Sequence, residues 1–364
     1  MAVKKALVLS GGGGRGAYHV GALKCLHEIG WLGGEQPLSY VAGTSIGALH
    51  AAAIAAGMSW EQIWERWQNF MTTENINTPV GPKSVQLFLS SLLHGNLTPE
   101  PEQQPALGGG QSSSDESPAL GGGWNPFGWI DDAARGVFGY FLQENHFIQP
   151  RWREVIELWG PEFDFAQINS PQAPVTVITA TDLRRGTKQL FCNRPWLDWE
   201  GRPQPATQIG PDHLNASASI QVFYQPGEAI ETASGEQRFY WDGATVDNSP
   251  LDSLLDVAGR EELDIVVVLM TPWHRSGADE IPLPRHLYET FTPALDWMML
   301  APFRVALKRL SDRGQPQPRI IAPKAEFWRQ YMALDRTIEY KLEIHEKLFE
   351  AGYDDAWEQF PDMI

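Results

Sequence analysis

The chain has 364 residues, of which 43% are hydrophobic and 20% are charged, so it is long enough to bury the core of one large domain or two. Its formal net charge of -17 argues against a nucleic-acid partner and gives no long-range attraction to anionic lipid surfaces. The two cysteines, Cys25 and Cys192, allow at most one disulfide, and we interpret them as free thiols in a reducing compartment.

The N-terminus carries two lysines ahead of a short apolar run at residues 6–9. A secretory signal peptide has a longer apolar region and a small-residue cleavage site, whereas this run ends in glycines. We therefore predict a buried strand over residues 6–10. No stretch approaches the roughly 20 apolar residues that cross a bilayer, so we expect a soluble, cytoplasmic protein.

Short apolar runs then alternate with helical patterns. The sequence predicts helices over residues 17–29 and 46–56, and strands over residues 40–43, 174–180 and 263–270. The last of these runs is dense in β-branched residues, which is typical of a strand buried on both faces of a sheet. The alternation predicts an α/β fold, a three-layer α/β/α sandwich with a mostly parallel central sheet.

Residues 98–123 depart from this pattern. Pro-Ala-Leu-Gly-Gly-Gly occurs twice there and frames a polar tract rich in serine. Such a composition buries too little apolar surface to offset the entropy of ordering, so we predict a disordered loop. Amphipathic pieces flank it. We therefore predict a helical insertion over about 72–150, which is either a lid over the site or a surface insertion without a role.

The end of the chain has a helical pattern over residues 323–360. Its apolar positions lie roughly on one stripe: Phe327, Tyr331, Leu334, Ile338, Leu342 and His345. We predict that residues 1–320 form the main domain and that residues 321–364 form a helical extension packed on it. Contact of this helix with a partner or a membrane surface is the alternative.

A Gly-x-Ser-x-Gly sequence follows the second predicted strand, with Gly43, Ser45 and Gly47 at its fixed positions. A serine exposed on a tight strand-to-helix turn needs neighbours without side chains. The N-terminus of the following helix directs amide groups and a partial positive charge toward that serine. The pattern predicts a nucleophile elbow with Ser45 as the nucleophile, although the same pattern also occurs in ordinary turns.

The glycine run at residues 11–16 has two interpretations. Gly11, Gly13 and Gly16 fit the dinucleotide-binding pattern, but the next strand ends in Gly-Thr-Ser rather than in the acidic residue which that pattern requires. No Gly-Lys-Ser/Thr follows, which excludes a Walker-type phosphate loop. Backbone amides close to a nucleophile favour an oxyanion hole instead.

Ser45 needs a base, and the residues leave two schemes open. In the first, Asp242 acts from the turn Trp-Asp-Gly-Ala. In the second, Ser45, Asp242 and His274 form a triad in the chain order of the α/β-hydrolases. Those enzymes normally place several strands ahead of the elbow, whereas here the glycine loop lies on the first predicted strand, which argues against the triad.

Taken together, the three motifs resemble the patatin-like phospholipases. The pattern of that family is Gly-Gly-Gly-x-Arg-Gly, then Gly-x-Ser-x-Gly, then Asp-Gly-Gly/Ala, and the chain has these at residues 11–16, 43–47 and 242–244. Residues 180–183, 216–223 and 246–250 also look familial, with Gln221 where proline is usual. The resemblance covers roughly residues 5–270, apart from the insertion.

The resemblance implies a bacterial-type lipid acyl hydrolase, phospholipase A-like or a broader carboxylesterase, with a Ser45–Asp242 dyad and no catalytic histidine. It implies that the amides of Gly12, Gly13 and Gly14 hold the oxyanion. The implied partner is a lipid or ester substrate, with possible transient contact with a membrane surface, and no cofactor or metal is implied. The alternatives are the triad esterase and a non-catalytic protein that binds a nucleotide or a lipid.

Two expectations concern the residues of the implied site. Arg15 either orients the glycine loop, contacts an anionic head group or forms a structural salt bridge, since arginine serves all three uses readily. An aspartate base is demanding, because its unperturbed pKa near 3.9 is far below that of a serine hydroxyl. The dyad therefore predicts close contact between Ser45 and Asp242 in a site that raises the pKa of the carboxyl group.

Overall fold

A computed structural model describes residues 3–76, 151–220, 226–230, 237–273, 287–332 and 340–361, and the structural statements below concern these residues. The chain divides into two units, one formed by residues 1–80 with 148–364 and the other by residues 81–147. Every element described below belongs to the first unit. The polar tract at residues 98–123 and most of the predicted insertion lie outside the described residues, as does His274.

Eight of the described strands form one mixed sheet in the order β10-β9-β1-β2-β3-β8-β7, with β4 also paired to β3. The strands are β1 (Lys4–Leu9), β2 (Leu38–Thr44), β3 (Val175–Asp182), β4 (Thr187–Cys192), β5 (Trp196–Leu197), β6 (Pro203–Gln204), β7 (Gly227–Ile230), β8 (Gln237–Asp242), β9 (Leu263–Val268) and β10 (Arg319–Ile321). Strands β10, β9, β1, β2 and β3 run parallel, whereas β4 and β8 run antiparallel to β3. Strand β7 is antiparallel to β8, and β5 and β6 form a separate ribbon.

Helices cover both faces of this sheet. They are α1 (Ala17–Glu28), α2 (Ile46–Ala55), α3 (Trp60–Asn69), α4 (Thr73–Ile76), α5 (Trp152–Leu158), α6 (Phe165–Ile168), α7 (Pro211–Ser217), α8 (Ala244–Asp247), α9 (Leu251–Ala258), α10 (Leu287–Asp312), α11 (Ala325–Tyr331) and α12 (Leu342–Trp357). The core on one face joins α1, α2, α3 and α12 to the sheet, and the core on the other joins α9 and α10 to it. The predicted α/β sandwich is therefore confirmed, with an antiparallel part beside the parallel strands.

The prediction of one continuous helix over residues 323–360 is wrong. Helix α11 ends at Tyr331, and the next residue, Met332, leaves helical geometry with φ -126 and ψ 15. Helix α12 begins only after Lys341, whose backbone is extended. Just before this region, the β-branched pair Ile320 and Ile321 belongs to β10 and extends the central sheet beside β9.

Helix α12 packs on α1 through a close approach of the two backbones. A Cβ atom at Gly21 would lie 1.8 Å from the carbonyl oxygen of Phe349, and one at Gly352 would lie 2.0 Å from the carbonyl oxygen of Tyr18. The hydroxyl of Tyr18 also donates a 2.8 Å hydrogen bond to Asp355. Only glycine at these two positions allows the helices to come this close. The domain boundary at residue 320 stays a prediction.

Candidate active site

The order of strands around β3 brings the two predicted catalytic residues together. Thr44, at the end of β2, is paired with Thr179, and Asp242, at the end of β8, is paired with the next residue, Ala180. Strand β4 pairs along the other edge of the same part of β3. Strands β2 and β8 therefore lie end to end on one edge of β3, and Ser45, which follows Thr44, is placed beside Asp242.

The elbow at Ser45 has the strained geometry that its sequence predicts. Ser45 has φ 57 and ψ -125, and it is the one described residue other than glycine with a positive φ. A Cβ atom at Gly43 would lie 2.1 Å from the carbonyl oxygen of Gly47, and one at Gly47 would lie 2.2 Å from that of Leu9. Both glycines are therefore required for the tight turn from β2 into α2 and for the close approach of α2 to β1.

The hydroxyl of Ser45 is available for chemistry because other groups satisfy the backbone around it. The amide of Ser45 donates to the hydroxyl of Ser217 at 2.9 Å, and that hydroxyl donates to the carbonyl of Thr179 at 2.7 Å. The Ser45 side chain does not cap α2. It lies beside the carboxyl group of Asp242 instead, where it acts to lower the pKa of that group. The resemblance to the family drew attention to the stretch that contains Ser217, but not to this contact.

Asp242 is held in place by its own backbone and by the following turn. Its amide donates to the carbonyl of Ser219 at 2.7 Å, and its Oδ1 accepts from the amide of Ala244 at 2.8 Å. A Cβ atom at Gly243 would lie 2.3 Å from the carbonyl oxygen of Thr179, which explains the glycine after the aspartate. The Asp242 side chain is buried, and this burial raises its pKa from 3.8 to about 7 against the hydrogen bonds that lower it.

The start of the glycine loop lies against the nucleophile. A Cβ atom at Gly11 would lie 3.3 Å from the Cβ of Ser45 and 2.4 Å from the Oδ1 of Asn248, so no side chain fits there. The amide of Gly11 donates to the carbonyl of Asn248 at 2.9 Å. Asn248, which sequence reasoning did not single out as a site residue, therefore holds the start of the loop.

Three amides of this loop are available as donors. Within the described residues, no hydrogen bond uses the amide hydrogens of Gly12, Gly13 or Gly14. Gly13 has φ 55, a left-handed conformation that glycine adopts without strain, and it begins a short 3-10 turn that ends at Arg15. Successive unpaired amides at such a turn form a concave site that favours a negatively charged oxygen.

Arg15 is buried and bonded to the backbone. Its Nε donates to the carbonyl of Gly12 at 2.9 Å, and its Nη1 donates to the carbonyl of Met332 at 3.1 Å. Only 4% of the residue is exposed. These contacts favour the loop-orienting alternative over contact with a head group.

A buried chain of hydrogen bonds begins at the end of the glycine loop. The amide of His19 donates to the carbonyl of Gly16, and the Nδ1 atoms of His19 and His50 are 3.1 Å apart. Trp67 donates from Nε1 to the Nε2 of His50 at 2.7 Å, which leaves the proton of His50 on Nδ1, facing His19. Burial lowers the pKa of His50 to about 3, so both rings are neutral. No motif in the sequence predicts this arrangement.

A second buried carboxyl group lies behind the elbow. The hydroxyl of Thr44 donates to the carbonyl of Asp247 at 2.8 Å, and the Oδ2 of Asp247 accepts from the hydroxyl of Ser253 at 2.6 Å. Burial raises the pKa of Asp247 to about 7, although Lys188 opposes this from 3.9 Å. Asp247 supports the elbow and does not contact Ser45 in any described hydrogen bond.

Among the described residues, no cluster of three or more histidine, cysteine, aspartate or glutamate side chains is arranged to hold a metal ion. No helix in the described part of the chain combines the length and apolar character needed to span a membrane.

Cys25 and Cys192 are both buried free thiols, and burial raises the pKa of each to about 11.

An α/β sandwich with a glycine loop and a serine elbow at the carboxyl edge of its parallel strands defines the class of protein. The family described as patatin-like phospholipase matches residues 7–255, which is more than half of the chain. The chain therefore belongs to the patatin-like phospholipase family.

Several solved structures are similar to this one, and two of them are described here. VipD from Legionella pneumophila has 12% sequence identity and a TM-score of 0.44, over 99% of this chain and 67% of VipD. Human GIVD cytosolic phospholipase A2, in complex with methyl gamma-linolenyl fluorophosphonate and terbium chloride, has 11% identity and a TM-score of 0.43, over 99% of this chain and 58% of that chain. The present chain thus spans less than two thirds of the human protein. None of the curated proteins compared with it matches.

Proposed function

We propose that the protein is a serine lipid acyl hydrolase, phospholipase A-like or a broader carboxylesterase, with Ser45 as nucleophile and Asp242 as base. Membership of the family supports a lipid ester as substrate, and with it transient contact with a membrane surface. The mechanism is carried by one observation, the position of the Ser45 side chain beside the buried carboxyl group of Asp242, whose pKa it acts to lower. This proximity favours the dyad, since a triad would place the imidazole of His274 between the two side chains.

In the proposed acylation step, Asp242 takes the proton from the Ser45 hydroxyl while Oγ bonds to the ester carbonyl carbon. The carbonyl oxygen becomes an oxyanion. When this intermediate collapses, the bond to the leaving alcohol breaks and the protonated Asp242 returns the proton to it. Ser45 then carries the acyl group as an ester.

The second half of the reaction repeats these roles with water. Asp242 takes a proton from a water molecule, and the oxygen of that water bonds to the acyl carbon. Collapse of the second intermediate breaks the bond to Oγ, and Asp242 returns the proton to Ser45. The products are a fatty acid and the original enzyme, so the scheme requires no external oxidant, reductant or cofactor.

Two features favour the oxyanion in this scheme. Within the described part of the chain, the amides of Gly12, Gly13 and Gly14 have no hydrogen-bond partner, and they follow Gly11, which lies against Ser45. Helix α2 begins at Ile46, directly after Ser45, so the partial positive charge of its N-terminus lies at the reacting atoms. Both are preorganised, and the loop is held by Arg15 and Asn248 before substrate binds.

The environment of Asp242 makes an aspartate a stronger base than usual. With a pKa of about 7, the carboxylate holds a transferred proton far more firmly than an exposed aspartate does. At neutral pH a substantial fraction of the carboxyl is still ionised and able to accept it. This is the balance that general acid-base catalysis requires.

The decisive experiment labels the protein with a fluorophosphonate and measures hydrolysis of p-nitrophenyl esters and phospholipids. We expect labelling and hydrolysis in the wild type, loss of both in Ser45→Ala, and loss of hydrolysis in Asp242→Asn. The matched control Ser59→Ala removes the exposed hydroxyl that caps α3 and is expected to keep full activity.

The outcomes separate the alternatives. Loss of activity in His274→Ala, with the fold retained, would support the triad instead of the dyad. A wild-type protein that is neither labelled nor active would favour a non-catalytic protein that uses the glycine loop to bind a nucleotide or a lipid. Activity in Ser45→Ala would reject the proposed nucleophile.

A further inference from the structure

The indole ring of Trp67 packs against the last glycine of the glycine loop. A Cβ atom at Gly16 would lie 2.5 Å from the Cζ2 of Trp67 and 2.6 Å from the Cγ1 of Ile46. Ile46 is the first residue of α2 and directly follows Ser45. The end of the loop, helix α3 and the start of α2 therefore meet at one point.

Gly16 is joined by hydrogen bonds to the turn that carries the proposed oxyanion donors. Its amide donates to the carbonyl of Gly13 at 3.1 Å, and the amide of Arg15 donates to the carbonyl of Gly12 at 3.2 Å. Because a peptide group is planar, the carbonyl of Gly13 moves together with the amide of Gly14, and the carbonyl of Gly12 with the amide of Gly13. These two bonds therefore fix the directions of two proposed donors.

His50 fixes the orientation of the indole. The Nε1 of Trp67 donates to the Nε2 of His50 at 2.7 Å, and both residues are fully buried. The ring of His345, on α12, lies edge-on to the indole with the ring centroids 4.8 Å apart. Loss of the bond to His50 would leave a buried donor without its acceptor, which is costly, so the indole is then expected to shift.

We propose that Trp67, held by His50, is a positioning residue that sets the directions of the oxyanion donors through Gly16. The inference rests on the proposed function and adds residues of α2 and α3 to it. The donors stabilise the transition state more than the bound ester, because negative charge develops on the carbonyl oxygen only as Oγ bonds to the carbon. Misdirected donors are therefore expected to lower kcat and to leave KM nearly unchanged.

Two substitutions separate the hydrogen bonds of His50. In His50→Gln the side-chain oxygen lies near the position of Nε2 and can still accept from Trp67, whereas the polar atoms of His50→Asn lie near Nδ1, which faces His19. We expect His50→Asn to lower kcat on a p-nitrophenyl ester by about tenfold to a hundredfold, with KM within about twofold. His50→Gln is expected to keep kcat within about threefold of the wild type. Equal kcat values in the two variants would overturn the proposal.

A pair of tryptophan substitutions gives a second test with a matched control. Trp67→Phe removes the Nε1 donor and the Cζ2 atom that faces Gly16, so kcat is expected to fall about tenfold or more. Trp31→Phe removes another buried indole, whose Nε1 donates to Asp264 at 2.8 Å near the starts of β1 and β9, and is expected to keep kcat. The same kcat in both variants, reduced or not, would contradict a specific role of Trp67.

Hydrogen exchange keeps this inference separate from the proposed function. The amides of Arg15 and Gly16 form the bonds that close the turn. Mass spectrometry of peptides containing them is expected to show about tenfold faster exchange in His50→Asn than in the wild type or His50→Gln, whether or not any ester is cleaved. Equal exchange in all three proteins would overturn the positioning role even if hydrolysis is confirmed. Faster exchange in His50→Asn, in a protein without Ser45-dependent hydrolysis, would reject only the proposed function.

Discussion

Replacement of Asp242 by asparagine is expected to inactivate the protein and to stabilise it. Asparagine has nearly the same shape, so its Oδ1 still accepts from the amide of Ala244 and its Nδ2 can donate to Ser45. It has no ionisable proton and cannot serve as a base. It also removes the need to bury a negative charge at this position.

The size of the stabilisation follows from the pKa of Asp242, which is raised from 3.8 to about 7. Below the unfolded pKa the carboxyl is protonated in both states, and its ionisation costs nothing. As the pH rises from there to the pKa of the folded protein, Asp242 ionises more readily in the unfolded chain than in the folded one. The free energy of unfolding therefore decreases over this range. Above pH 7 the penalty is constant at roughly 4 kcal/mol. The advantage of the asparagine variant should therefore grow by roughly 2–3 kcal/mol between about pH 5 and pH 8.5.

Urea denaturation of both proteins at these two pH values, followed by tryptophan fluorescence, measures this difference. Asp198→Asn is the control, because the pKa of that partly buried carboxyl is lowered: its contacts with Arg202 outweigh the burial that raises it, so its replacement brings no stability. A stability difference for Asp242→Asn that does not change with pH would refute the assigned environment. Hydrolysis by the variant at the wild-type rate would refute its role as base.

Three further outcomes are expected. In the wild type, kcat/KM should rise with pH through an apparent pKa near 7 as Asp242 ionises and then reach a plateau, so a pH profile that is flat from about pH 5 to 9 would contradict the dyad. Ser45→Gly should abolish hydrolysis yet raise the free energy of unfolding by about 1 kcal/mol over Ser45→Ala, because glycine relieves the strain at φ 57; equal stabilities of the two variants would argue against that strain. Gly352→Ala should lower the free energy of unfolding by more than about 2 kcal/mol, since its Cβ would lie 2.0 Å from the carbonyl oxygen of Tyr18, whereas Glu350→Ala on the exposed face of the same helix should change it little. A neutral effect at Gly352 would mean that the two helices separate easily.

The elements around the glycine loop and the elbow were accessible from the sequence because each is encoded locally. Periodicity and β-branched runs indicate β1, β2, β3 and β9 within a few residues, and the glycines at 43 and 47 mark a turn that no other residue permits. These signals lie within short windows, so no knowledge of distant contacts is needed to recognise them.

The position of the base was not accessible in that way. Asp242 lies beside Ser45 because β8 pairs antiparallel with β3 on the same edge as β2, directly beyond the point where β2 ends. No local pattern encodes this pairing. The turn Trp-Asp-Gly-Ala made Asp242 a candidate base, and the resemblance to a family favoured the dyad, but neither located its carboxyl group beside Ser45. The raised pKa of its carboxyl also depends on burial by segments far apart in the chain, which composition cannot reveal.

The supports of the glycine loop were missed for the same reason. His19 and His50 look like unremarkable helix residues in the sequence, and Trp67 looks like one more aromatic residue of the core. Their hydrogen bonds join three helices in the folded protein. The break between α11 and α12 was missed because the apolar stripe continues across it, while the backbone at Lys341 is extended.

The crossing of α1 and α12 has a consequence for when the protein becomes active. Arg15 anchors the loop to the carbonyl of Met332, and the helix that continues the loop meets α12 at Gly21 and Gly352. A ribosome adds these last partners long after it has added the proposed nucleophile and base. The proposed hydrolysis is therefore expected to begin only after α12 has emerged from the ribosome and docked on α1.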